Sequence, residues 1–197
     1  MRVPQEQVVI LGIDPGLANT GWGVVLAEGS KCRCLAYGCI TTKSGVDLAE
    51  RLKDIHDQMA AVVRRYHPTE VGVESVYFGA NTQSAFATGQ ARGAALVATA
   101  AASLKTGEYT PMQIKQAVVG TGSADKNQVQ YMVRTILGLD HDVKPDHSAD
   151  ALAAAVCHAH MRLSRALDAS ALLSAELARE RGRASKSSLL LQEREGR

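Results

Sequence analysis

Apolar residues along this chain switch between two spacings, and the switch points divide the first 160 residues into alternating strands and helices. Val8 to Ile13 is a short, β-branched run closed by Asp14, Pro15 and Gly16, which reads as a buried strand ending in a turn. Thr20 to Val25 is extended again, so the two runs predict an antiparallel pair about a tight loop. Arg33 to Thr42 supplies a third strand. Val46 to Tyr66 changes to helical spacing, with Leu48, Leu52, Ile55, Met59 and Val62 along one side, and His67-Pro68 ends it. Glu70 to Glu74 alternates over a short span and predicts a fourth strand returning beside the first.

A polar loop bearing Tyr77 and Phe78 leads to an alanine-rich helix over 85–104, in which Gly89 and Gly93 stand four apart. Small residues at that spacing admit a close neighbour, either a helix of a second subunit or the chain's own sheet. Glu108 to Pro111 predicts a brief fifth strand and Met112 to Val119 a short helix. Another helix runs from Asp125 or Lys126 to Leu137, and Asp146 or Ser148 caps a last one containing DALAAAVCHAHMRL. This order predicts an α/β fold: a mixed five-stranded sheet flanked by helices, with no internal repeat.

A length of 197 residues accommodates one full core plus a tail. Aromatic residues are only 4% of the chain, so the core must be aliphatic. From Ser164 the composition turns to Ala, Ser, Leu and charge, and residues 176–197 hold six basic side chains against four glutamates, an excess equal to the whole net charge of +2. We therefore place a compact domain at 1–163 and a charged, flexible tail at 164–197. No run approaches a membrane span, and Met1 to Glu6 lacks the layout of a secretory signal, which predicts a cytoplasmic protein without a membrane partner. Cys32, Cys34, Cys39 and Cys157 form no C-x-x-C pair; Cys32 and Cys34 share one face of a strand, where small buried thiols are commonplace, and with His158 and His160 the four match no zinc spacing.

Three acidic residues fall where predicted elements meet: Asp14 at the end of the first strand, Glu74 at the end of the fourth, and Asp150 early in the last helix. If those strands are neighbours, the first two carboxylates converge, which is tolerable only with a bound cation or a retained proton. Hard oxygen ligands favour Mg²⁺ or Mn²⁺. His147 lies three residues before Asp150, so both project from one helix face while Asp146 points elsewhere. The blander alternatives are ordinary turn chemistry for Asp-Pro-Gly and acidic residues complementing a helix N-terminus. The separate demand of Asp14 and Glu74 for a counter-ion favours the metal site.

In order, GIDPGLANTGWGVV, VGVES followed by an aromatic, GQARG, QIKQAVVGTGSADKNQVQ and DHSADALAAAVCHAH resemble the RuvC family of Holliday junction resolvases across residues 8–160. The resemblance implies a ribonuclease-H-like fold, a homodimer, and metal-dependent cutting of two symmetry-related strands of a four-way DNA junction, leaving 5′-phosphate and 3′-hydroxyl ends. It implies that Asp14, Glu74 and Asp150 are metal-binding catalytic carboxylates serving two Mg²⁺ or Mn²⁺ ions. His147 stands where many members carry a further aspartate. Lys115 and Lys126 match basic positions near the active site, and Tyr77, with Phe78 as its rival, matches an aromatic that stacks on an unpaired base. Cooperation with the branch-migration proteins RuvA and RuvB is implied as well. The first motif alone also resembles the phosphate loop of actin-like ATPases, but that architecture needs a second half for which this chain is too short. A non-catalytic junction-binding module would leave the acidic set unexplained.

Overall fold

The computed structural model describes residues 6–76, 82–166, 168 and 172. Strands β1 (Gln7–Asp14), β2 (Asn19–Glu28), β3 (Lys31–Thr41), β4 (Glu70–Glu74) and β5 (Lys105–Tyr109) form one sheet in the order β3-β2-β1-β4-β5. The first three pair antiparallel as a meander, whereas β1, β4 and β5 run parallel. This is the mixed sheet that the pattern predicts. Helices α1 (Leu48–Tyr66), α2 (Thr82–Ala100), α3 (Pro111–Val119), α4 (Lys126–Leu137) and α5 (146–166) accompany it. The compact unit holding the sheet runs to Met161. No described helix is long and apolar enough to cross a membrane.

Several boundaries differ from expectation for local reasons. Asp47 accepts a hydrogen bond from the Ala49 N–H at 2.8 Å, so α1 starts at Leu48 rather than Val46. The alanine run does not stay helical to Leu104, because Ser103 adopts a left-handed conformation at φ 57° and the Lys105 N–H donates to the Thr69 carbonyl. Strand β5 therefore occupies 105–109, not 108–111. It stops at Tyr109 because Thr110 turns to cap α3 in a reciprocal capping box with Gln113, leaving Pro111 at the helix start, where its missing donor is harmless. At α5 neither expected cap forms: Ser148 is fully buried with its hydroxyl unpartnered among the described residues, and the Asp146 carboxylate is engaged by side chains of α4 and the preceding connector.

Two apolar layers clothe the sheet. Leu11, Ile13, Val24 and Val73 pack toward Ile55, Met59 and Ala95, while Ile10, Val25 and Tyr109 pack toward Ile114, Val133 and Leu152. Cys157, fully buried, and the partly buried Cys32 and Cys34 contribute to the second layer as free thiols. On the second face, Gly23, Gly12, Gly72 and Gly107 are register partners across β2, β1, β4 and β5. That glycine row removes side chains from the path of α5. A Cβ at Gly12 would overlap the Ala151 carbonyl, one at Gly21 the His147 carbonyl, and one at Gly72 would stand 2.7 Å from the Ala154 oxygen. The alanine-rich helix thus rests directly on sheet backbone.

Gly12→Ala should destabilise the protein by about 3 kcal/mol or more, at the upper end of core overpacking, because the obstacle is helix backbone rather than a flexible side chain. Urea unfolding measures this. A loss below about 1 kcal/mol would mean that α5 can lift off the sheet at little cost.

Candidate active site

The parallel pairing of β1 and β4 is level through Ile13 and Val73, so Asp14 and Glu74 follow side by side at the carboxyl ends of adjacent strands. Ligands of open α/β sheets bind at that edge. Residue alternation turns both carboxylates toward the face covered by α5. Close approach at Gly21 brings the first turn of α5 to the same edge, where His147 Nδ1 lies 2.7 Å from Asp14 Oδ2. Asp14, His147 and Asp150 each offer one ligand atom, all within 4.8 Å of one another, and they are the one such metal-sized group among the described residues. Cys32, Cys34, Cys39 and Cys157 join no such group. His158 instead meets Glu70 at 2.8 Å, and His160 the Ala117 carbonyl at 3.0 Å.

Burial raises the Asp14 carboxyl above the ordinary carboxylate range, opposed by its hydrogen bond to His147. Burial together with the Asp14 and Asp150 charges pushes Glu74 up to about 7, with Lys115 opposing. Asp150 is raised by burial as well, partly offset by Lys126. These groups are crowded and short of positive charge. Lys126 Nζ supplies some of it, 3.6 Å from Asp150 Oδ2, and is held more closely by Asp146 Oδ2 at 3.0 Å. A cleft of ≈ 200 Å³ opens beside the cluster, lined by Glu74, Lys115, Lys126, Asp150 and the apolar Ile114 and Val129. Hard oxygen donors with one imidazole and raised proton affinities fit a divalent cation better than they fit each other.

A family model described as crossover junction endodeoxyribonuclease RuvC matches residues 10–158. The chain belongs to the RuvC family. The RuvC of Pelotomaculum thermopropionicum is 47% identical over 153 residues, covering 78% of this chain and 93% of the relative. That of Rubrobacter xylanophilus is 49% identical over 155 residues, covering 79% and 87%. Both are named crossover junction endodeoxyribonucleases, and the family is one of nucleases. Among solved structures, Thermus thermophilus RuvC in complex with Holliday junction substrate is similar with TM-score 0.76 and 40% identity over 80% of this chain and 96% of that one. The yeast mitochondrial resolvase Ydc2 shares the fold at 14% identity and TM-score 0.55, over 79% and 82% of the two chains. The ribonuclease-H-like architecture of the RuvC family is therefore the one seen here.

The structure brings Asp14, Glu74, His147 and Asp150 to one sheet edge and sets Lys115 and Lys126 on the facing wall. Tyr77 and Phe78 lie outside the described residues. Sequence reasoning passed over Asp146, which it took to point away from the chemistry. Its carboxylate does leave the metal-sized group, yet it meets Lys126 and accepts from Gln130 Nε2 at 3.1 Å. The signal was present: Lys126 and Gln130 are four apart at the start of α4, hence on one face.

Without metal, Glu74 retains its proton to higher pH in the fold than in the unfolded chain, so the native state binds more protons between about pH 4.5 and 7. Stability must fall as pH rises through that window. In chelator, Glu74→Gln should flatten the decline by on the order of 2 kcal/mol, measured by urea titrations across that range. An identical slope in the variant would refute the crowding.

Proposed function

We infer that this chain resolves four-way DNA junctions by paired, symmetric, metal-dependent nicks that leave 5′-phosphate and 3′-hydroxyl ends. The observation that carries this reading is the gathering of Asp14, His147 and Asp150 within 4.8 Å, with Glu74 beside Asp14, in a chain of the RuvC family. Asp14, Glu74, His147 and Asp150 would hold two Mg²⁺ or Mn²⁺ ions. Bound there, such ions supply a deprotonated water at neutral pH and stabilise the leaving 3′ oxygen. The softer imidazole favours Mn²⁺ more than a fourth carboxylate would. Asp14 keeps the His147 ring oriented through its Nδ1 contact. Lys115 and Lys126 take the phosphates entering the cleft, and Tyr77, with Phe78 as its rival, stacks on a base opened at the exchange point.

The homodimer that this reading requires finds support on α2. Its buried side, Ala85, Ala91, Ala95 and Ala98, meets the chain's own core, whereas Phe86, Gly89, Gly93 and Val97 follow a second stripe that faces outward. Phe86 and Val97 are 65% and 60% exposed, and a Cβ at either glycine would meet nothing within 4 Å. Of the two neighbours open to the glycines, the chain's own sheet is thus the one not used. A second copy packing α2 against α2 would bury this stripe and place two active sites for symmetric cuts. The reading extends to a cytoplasmic enzyme working with RuvA and RuvB, with residues 1–163 as its catalytic domain and 164–197 as an appended tail.

A synthetic four-way junction and a matched duplex, each incubated with and without Mg²⁺ or Mn²⁺, test the activity. Wild type should make paired nicks in the junction only with metal. Asp14→Asn, Glu74→Gln and Asp150→Asn should each lower nicking by at least about 10²-fold while leaving junction binding in place. Normal cleavage by any of the three removes the assignment. Separately, Val97→Glu should shift the protein from dimer to monomer in analytical ultracentrifugation, and an unchanged dimer would place the interface elsewhere.

A further inference from the structure

Lys126 has two carboxylates to choose between. Its Nζ stands 3.0 Å from Asp146 Oδ2 and 3.6 Å from Asp150 Oδ2, and only Asp150 belongs to the metal-sized group. Asp146 is partly exposed, yet each of its carboxylate oxygens has a partner. Its Oδ1 accepts from Gln130 Nε2 at 3.1 Å and meets Lys144 Nζ at 3.5 Å, while Oδ2 is left to Lys126. Both oxygens are engaged by donors from α4 and from the connector before α5. The acceptor is thus oriented before anything enters the cleft.

Any cation recruited to Asp150 must compete with the ammonium already beside it, since the two share one carboxylate. An ammonium with no alternative partner would collapse onto Asp150 or swing into solvent. In the first case it obstructs the cation, and in the second it abandons the phosphate. Asp146 removes that conflict.

We propose that Asp146 is a positioning residue that holds Lys126 beside the metal site, so that Asp150 can take a divalent ion without Lys126 either competing for it or leaving the cleft. The inference rests on the metal-dependent nuclease reading and adds a function to a residue outside the ligand set. Lys126 is kept 3.6 Å from Asp150 Oδ2, where it can meet the phosphate that the ions also hold. The lowered proton affinity of Asp146, caused first by its bond to Lys126, agrees with this pairing.

The test is a double-mutant cycle read by Mn²⁺ binding to the full-length protein, followed by the electron paramagnetic resonance signal of the free ion. Asp146→Asn should weaken Mn²⁺ binding about two- to fivefold, the range of a partly exposed ion pair, because Lys126 falls back on Asp150. Lys126→Met should tighten Mn²⁺ binding, since the competitor is gone. In the Lys126→Met background, Asp146→Asn should then have little further effect, and Asp146→Glu should restore most of the loss in the parent. Equal weakening in both backgrounds would mean that Asp146 acts only as a nearby charge or through the helix start, and would overturn the proposal. So would no weakening at all. A wild type that binds no Mn²⁺ overturns the metal reading itself, a different outcome from additive variants in a protein that binds it.

Discussion

The structure depends on α5 lying against bare sheet backbone. An ordinary helix packs on a sheet through interdigitated side chains and can slide or roll by small repacking, whereas here the glycine row leaves carbonyls and alanine methyls as the contact. The helix cannot move closer, and moving away opens a void along several strands. About three turns beyond His147, the helix is pinned by a buried polar set: His158 Nε2 meets Glu70 at 2.8 Å and Nδ1 meets the Tyr109 hydroxyl at 3.0 Å. Such a set tolerates little displacement, because a broken partner leaves a buried polar group unpaired. Held at its first turn and at His158, α5 presents His147 and Asp150 to the strand ends in one place.

That rigidity lets the fold assemble groups that repel one another. Three carboxylates with raised proton affinities would spread apart on flexible loops, but two are at the ends of paired strands and the third is in the first turns of a fixed helix. The site therefore carries a local cost that the two cores must offset, as expected where sequence consistency yields to chemistry. A cation relieves this cost.

Much of this was legible in the residues. The β-branched runs, the apolar stripe of α1 and the short β4 marked the first four strands and the place of β4 beside β1, and carboxylates at strand ends pointed to the sheet edge where Asp14 and Glu74 stand side by side. The misplaced β5 and the overlong helix before it share a cause, since β5 is an edge strand of Lys, Thr, Gly and Glu ahead of its buried Tyr109, and no apolar alternation marks such a strand. The glycine row was not legible either. Its meaning lies in register between strands distant in sequence, and each glycine alone reads as a bend or a weak strand position. Asp146 was missed because helical geometry tells which residues share a face, not what a neighbouring helix brings to the others.

The two walls of the cleft differ in how they are held. Carboxylates sit on the sheet edge and α5, while Lys115 and Lys126 come from α3 and α4, short helices whose starts are fixed by capping boxes at Thr110 and Asp125. A phosphate entering between the walls meets attraction from one side and repulsion from the other. On the reading proposed above, divalent ions reverse the sign of the acidic wall, so metal and DNA each bind better when the other is present. That coupling is reciprocal by linkage: whatever factor the ions add to junction affinity, the junction adds to theirs. On the same reading, such a site would load its ions best once substrate is in place, which would favour strand cutting on DNA seated between the two lysines and the acidic edge.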